Sequence, residues 1–152
     1  MERQDRIGQM NQGSLVLTLR ECQFSDWYAS PEDHRCPHDA WVEAVTISEP
    51  ASGERNQKRE LQIQIRLRGA YHGGIIEFTY RRVQHYSLQM SGTTGHGDWI
   101  RDEIKCGDGS ILHTVSFAHG SFNVQASEAE YKWTSLPDET AGSPTISPEL
   151  ST

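Results

Sequence analysis

Residues 61–67 alternate strictly between apolar and polar side chains, and this alternation constrains the fold most. The apolar residues are Leu61, Ile63, Ile65 and Leu67, and the polar residues between them are Gln62, Gln64 and Arg66. Since successive side chains of a strand point to opposite faces, such a stretch has one buried and one solvated face. It predicts a strand of an antiparallel sheet.

The same period of two recurs along most of the chain, separated by glycine-bearing turns such as Asp108-Gly109. Further strands are predicted at 15–20, 40–48, 75–80, 83–90, 98–106, 110–118, 121–126 and 129–134. Short strands at this spacing favour a mainly β fold, an antiparallel sandwich or barrel of about eight strands. At most one short helix is expected, around 24–32.

Both ends of the chain lack the apolar residues that a core needs. We expect a flexible N-terminal arm at 1–13, a single β domain at 14–134 and a disordered C-terminal tail at 135–152. The hydrophobic fraction of the whole chain is only 35%, which agrees with some of its length lying outside a core.

The formal net charge is -7, from 21 acidic and 14 basic residues. Such a chain is poorly suited to nonspecific nucleic-acid binding and suits a basic partner better. Three widely spaced cysteines do not form the framework of a secreted disulfide protein. With no apolar leader or membrane-length apolar stretch in the sequence, we expect a cytoplasmic protein without a membrane partner.

Three ionisable residues fall on the apolar face of their predicted strands. They are Glu43, Asp102 and His113. A buried charge needs a partner, so some of these side chains are expected to meet, in a polar cavity or at an open end of the sheet. A strand end outside the core, a β-bulge that inverts the alternation, or a satisfied structural network would each explain them without a binding site.

Two neighbouring residues complete the candidate binding set. His96 lies between glycines and close to Asp98, where it could do acid–base work or simply meet water in a loop. Trp99 has the opposite parity to Ile100 and Ile104, which predicts an exposed ring that anchors an interface or caps a rim of the sheet.

The run His34-Arg35-Cys36-Pro37-His38 contains zinc donors but has no second short ligand pair. A loop with exposed histidines is the competing interpretation, and no metal or cofactor is expected. No nucleophile motif accompanies any Ser or Cys, so no catalytic residue is assigned.

Several motifs occur in a specific order between residues 36 and 133. They are Cys36-Pro37-His38-Asp39-Ala40-Trp41-Val42-Glu43, Arg68-Gly69-Ala70-Tyr71-His72-Gly73-Gly74, Gly95-His96-Gly97-Asp98-Trp99 and Tyr131-Lys132-Trp133. Together they resemble a group of small, uncharacterised bacterial β-rich proteins. Small β-rich proteins of this general type include immunity proteins that neutralise bacterial toxins. This analogy does not assign a role to any residue.

The leading functional hypothesis is a non-enzymatic module that binds another protein, with toxin neutralisation as one version. The alternative is a small-molecule-binding or hydrolytic β domain that uses Glu43, Asp102 and His113. A zinc-stabilised structural domain is a third, weaker option. The alternative requires that the three side chains converge within hydrogen-bond reach, which coordinates can test.

Overall fold

A computed structural model of the protein describes residues 13–137 and is mainly β within that range. Its strands are β1 (Ser14–Thr18), β2 (Trp41–Ser48), β3 (Ala51–Ser52), β4 (Lys58–Arg59), β5 (Gln62–Arg68), β6 (Gly74–Met90), β7 (Trp99–Gly107), β8 (Ser110–Phe117) and β9 (Gly120–Ser135). The predicted fold class is confirmed. Of the arms predicted at 1–13 and 135–152, residues 1–12 and 138–152 lie outside the described residues, and Ser135 is the last residue of β9.

All strands except the β3–β4 hairpin belong to one antiparallel sheet in the order β2-β5-β6-β9-β8-β7. The hairpin, which the sequence did not predict, pairs only with itself. β1 joins the sheet by pairing with β9 over Leu15 to Thr18, opposite Trp133 to Glu130. β9 thus has β8 beside its first half and β1 beside its second half.

β6 and β9 are long strands that the sequence divided into two each. They pair with each other from Gly74↔Ser135 to Met90↔Gly120. No glycine or proline interrupts 81–82 or 127–128, so the chain continues as a strand instead of turning. A β-bulge between Val83 and His85 absorbs the bend.

The two end strands of the sheet meet at one end. The N–H of Trp99 donates to the carbonyl of Ala40 at 2.8 Å, and the N–H of Asp39 donates to the carbonyl of Trp99 at 2.8 Å. Trp41 and Asp98 form an isolated bridge beside them. The sheet is therefore curled into a partly closed barrel.

A short helix, α1 (Leu19–Gln23), follows β1 directly. Thr18 and Glu21 form a capping box, in which each side chain bonds the other's backbone N–H, and this starts the helix. The expected helix around 24–32 is instead a single 3-10 turn, Asp26–Ala29. None of the helices in residues 13–137 is long and apolar enough to cross a membrane.

Residues 24–40, here called the covering segment, lie against the barrel. The hydroxyl of Tyr131 donates to the carbonyl of Arg35 at 2.6 Å, and the ring of Trp27 lies 5.3 Å from that of Tyr131. The core beneath is rich in aromatic rings. Its largest fully buried side chains are Trp99, Tyr80, Tyr131, Phe78, Phe122, Leu19, Ile63, Ile65, Leu67, Ile76, His113 and Val115.

Candidate functional site

Asp102 and His113 meet inside the barrel. They lie diagonally on the adjacent strands β7 and β8, two register positions apart, since Asp102 pairs with Val115 and Ile104 pairs with His113. The Nε2 atom of His113 lies 2.6 Å from Oδ2 of Asp102. The period-two pattern placed both residues on the core face, and both strands keep that pattern here.

Three aromatic side chains complete a hydrogen-bonded network around this pair. The hydroxyl of Tyr28, from the covering segment, donates to Oδ2 of Asp102 at 2.7 Å, and Nε1 of Trp99 donates to Oδ1 at 3.4 Å. The hydroxyl of Tyr80 lies 2.8 Å from Nδ1 of His113. Both ring nitrogens of His113 therefore have a hydrogen-bond partner, Asp102 at Nε2 and Tyr80 at Nδ1.

The contacts of the network keep the Asp102 carboxyl ionised. Burial of the Asp102 carboxyl acts to raise its pKa, but hydrogen bonds and charge interaction with His113, with help from Tyr28 and Trp99, outweigh burial and hold that pKa below its usual range. Burial, with the Asp102 charge, raises the pKa of Tyr28 and of Tyr80 well above the ordinary value. At neutral pH the network therefore holds one carboxylate and two neutral phenols.

Access to the network is narrow. His113 is fully buried and both its ring nitrogens are occupied, so it has no free atom to offer a ligand. The Asp102 side chain is 12% exposed, at a surface pocket of about 170 Å³ that Cys36 and His38 also line. These contacts are those of a satisfied structural network, one of the interpretations that the sequence left open.

Glu43 does not join Asp102 and His113. A bulge between Val42 and Ala44 inverts the alternation of β2 at this residue, so its side chain faces out. Its carboxylate accepts from Nε of Arg68 at 2.8 Å and from Nε of Arg66 at 3.3 Å. Those guanidinium groups hold the pKa of Glu43 below its usual range.

Trp99 is completely buried, so the prediction of an exposed ring was wrong. A bulge between Trp99 and Arg101 rotates the start of β7. Ile100, predicted to face the core, is consequently 37% exposed. The Trp99 ring stacks on Phe78 with centroids 4.9 Å apart.

His96 lies apart from the network. Its ring contacts Phe117 edge-on at 5.3 Å, and its carbonyl accepts from the N–H of His119 at 2.8 Å. The neighbouring Gly97 has a φ of 81°, which favours glycine there. These contacts hold the loop against the barrel.

The three zinc donors of the 34–38 run point in different directions. His34 stacks on Tyr71, Cys36 donates to the carbonyl of Tyr28 at 3.0 Å, and a ring nitrogen of His38 lies 2.8 Å from the carbonyl of Ile100. No cluster of three or more His, Cys, Asp or Glu residues suited to a metal occurs among residues 13–137.

Two pairs of exposed rings, which the adjacent residues Tyr71 and His72 connect along the chain, were not predicted and are here called the ring patch. Its members are His34, Tyr71, His72 and Trp41. His34 stacks on Tyr71 with centroids 4.3 Å apart, and Trp41 meets His72 edge-on at 4.8 Å. Trp41 is 49% exposed and Tyr71 is 50% exposed. One feature of the sequence could have predicted this patch. Tyr71 and His72 lie in a turn just before Gly73-Gly74, and large rings at a turn seldom reach the core.

Comparison with protein-family models, curated proteins and solved structures returned no match to the chain.

Proposed function

We propose that this protein is a non-enzymatic module that binds another protein through the ring patch. The observation that carries the proposal is the exposure of Trp41 and Tyr71, each about half accessible and each paired with a histidine ring. Trp and Tyr are the residues that most often dominate binding energy at protein interfaces.

The ring patch is held in place before any partner arrives. The hydroxyl of Tyr71 donates to the carbonyl of Pro31 at 3.0 Å, which ties the hairpin before β6 to the covering segment. Trp41 pairs through its backbone with Arg68 and Asp98. Rings that are already ordered lose little conformational freedom on binding, so more of their contact energy contributes to affinity.

The charge of the chain favours a basic partner. With a formal net charge of -7, the protein attracts cationic proteins over long range and accelerates their encounter. Neutralisation of a basic bacterial toxin in the cytoplasm is a concrete version of the proposal, and agrees with the resemblance to small bacterial β-rich proteins.

The alternative, a ligand-binding or hydrolytic site built from Glu43, Asp102 and His113, has less support. Glu43 is on the outer face, in contact with Arg66 and Arg68. His113 has no accessible nitrogen with which to accept a proton from a substrate. A general base must reach the proton that it removes.

Co-expression with the products of neighbouring genes tests the proposal. The full chain is expected to copurify with one of them, and the purified complex can be titrated by calorimetry. A Trp41→Ala/Tyr71→Ala variant should bind at least tenfold more weakly, because loss of two interface aromatics removes on the order of 2 kcal/mol or more.

The matched control is Val16→Ala/Leu112→Ala, which removes two other exposed apolar side chains and should change affinity less than twofold. Failure of every neighbouring product to bind would refute the toxin version. A complex whose affinity is unchanged in the Trp41→Ala/Tyr71→Ala variant would refute the ring patch as its binding surface.

A further inference from the structure

The second half of β6 has an edge that no strand within residues 13–137 covers. β5 pairs with β6 only as far as Tyr80, and one further bond joins the N–H of Val83 to the carbonyl of Leu61. The rest of the strand, 84–90, pairs with β9 alone. We call residues 84–90 the open edge.

The backbone of the open edge presents hydrogen-bonding groups to the outside. The N–H of Ser91 donates to the carbonyl of His119, on the β9 side. Since these groups alternate along an antiparallel strand, those of Tyr86, Leu88 and Met90 point away from β9. Within residues 13–137 no strand pairs with these donors and acceptors, which form a surface on which another strand can add.

Two other edges of the sheet, those of β7 and β2, are interrupted at particular residues. Along β7, the Gln23 side chain donates to the carbonyl of Ile104 at 2.9 Å, and the His38 ring lies 2.8 Å from that of Ile100. β2 carries the bulge at Glu43. By contrast, residues 84–90 contain no Asp, Glu, Lys, Arg or Pro, the residue types that usually prevent strand addition.

The apolar residues of the open edge continue the core but are incompletely covered. Leu88 lies opposite the buried Phe122, and Tyr86 lies opposite the buried Val124. Tyr86 is nevertheless 37% exposed and Met90 is 51% exposed, because the strand that would cover them is missing from their side. A strand added here would extend both the hydrogen bonding and the apolar face.

We propose that the open edge pairs antiparallel with the open edge of a second copy of the chain, about a two-fold axis perpendicular to the sheet. In a pairing centred on Ser87, Tyr86 faces the partner's Leu88 and His85 faces the partner's Gln89. Near the axis an apolar side chain thus meets an apolar one and a polar meets a polar, while Met90 at the end of the pairing faces the partner's Gln84. A two-fold axis brings each residue near its centre close to the same residue of the partner, so a charged residue there would face a like charge. Residues 84–90 contain no carboxylate, lysine or arginine, so this repulsion does not arise.

The pairing is independent of the proposed ring patch. β6 starts beside the ring patch, since Gly74 follows His72 closely, and the open edge ends at Met90. The ten residues of strand from Gly74 to the start of the open edge at Gln84 span roughly 33 Å at about 3.3 Å per residue. A dimer through the open edge would therefore present two ring patches.

Sedimentation velocity and light scattering of the full chain, from micromolar to millimolar concentration, test the proposal. The mass should rise with concentration from 17.2 kDa toward twice that value. Tyr86→Glu/Met90→Glu places repelling carboxylates across the two-fold axis and should weaken association at least tenfold. The control Val16→Glu/Leu112→Glu, on exposed apolar residues of other strands, should dimerise like the wild type.

Amide hydrogen exchange provides a second readout that needs no variant. Exchange at Tyr86, Leu88 and Met90 should slow as concentration rises, while Ser87 and Gln89, already bonded to β9, should not change. A wild type that stays monomeric at millimolar concentration overturns the proposal, as does a dimer that the glutamate pair leaves intact. Trp41→Ala/Tyr71→Ala should dimerise normally, so failure of the ring patch and failure of the open edge are distinguishable.

Discussion

At the scale of single residues, His113 connects the core to the mostly buried carboxylate of Asp102. It has no exposed surface and bonds Asp102 on one side and Tyr80 on the other. His113→Ala would leave the Asp102 charge without its main partner. We expect a loss of about 3–5 kcal/mol in the free energy of unfolding, measured by urea titration of tryptophan fluorescence.

Two further variants provide reference values for that measurement. Tyr80→Phe removes only the hydroxyl that bonds His113 and should lower the free energy of unfolding by about 1–2 kcal/mol. His85→Ala removes an exposed histidine from the open edge of β6 and should change stability by no more than about 0.5 kcal/mol. A His113→Ala variant as stable as His85→Ala would show that the network contributes nothing to stability.

Asp102 also makes stability depend on acid pH. Its pKa is lower in the folded protein than in the unfolded chain, so its contribution is complete above the unfolded pKa of about 4 and is lost as pH falls through the folded value. The free energy of unfolding should therefore decline below pH 4. Asp102→Asn should show a shallower decline over the same range, measured by urea titrations at successive pH values; identical slopes would contradict the assignment.

At the scale of elements, the long β6–β9 pair depends on one close contact at its end. A Cβ atom on Gly74 would overlap the ring of the buried Trp133 on β9. Gly74→Ala should therefore destabilise the fold by about 1–3 kcal/mol, since the packed ring has to move. Thermal unfolding would show this as a melting temperature lower by several degrees.

Gly107 offers the matched control for Gly74. An added Cβ on Gly107, at the end of β7, would meet nothing within 4 Å. Gly107→Ala should leave the melting temperature within about two degrees of the wild type. Equal effects of the two substitutions would mean that Trp133 adjusts without cost.

The strands could be predicted from alternation because one face of each is buried, but bulges could not. The extra residues at Glu43 and Ile100 carry no residue-type signal, and each inverts the faces of the residues before it. Glu43 was consequently placed in the core and Trp99 at the surface. Asp102 and His113 were placed correctly because no bulge separates them from the regular parts of their strands.

At the scale of the whole molecule, the contacts that build the ring patch come from three separate regions. His34 belongs to the covering segment, Trp41 to the start of β2, and Tyr71 and His72 to the turn before β6. Alternation describes neighbours along one strand and says nothing about which turns meet. The sequence therefore predicted the fold class and two members of the network, Asp102 and His113, but not the exposed surface.

The extent of the folded unit gives the last prediction. The N–H of Ser135 donates to the carbonyl of Gly13 at 2.7 Å, and the N–H of Leu136 donates to that of Gly73 at 2.8 Å. These bonds close the sheet at its outer end, while the remaining sequence is poor in apolar residues. A chain trimmed to residues 13–137 should therefore melt within about three degrees of the full chain.

A deeper truncation shows whether that comparison is sensitive. A chain of residues 19–137 lacks β1, the strand that pairs with the second half of β9 and contributes the buried Leu15. It exposes the edge of β9 and the apolar surface beneath Leu15, so it should lose cooperative unfolding or melt at least ten degrees lower in calorimetry. If the 13–137 chain were destabilised as much as this one, the terminal segments would have to be part of the folded unit.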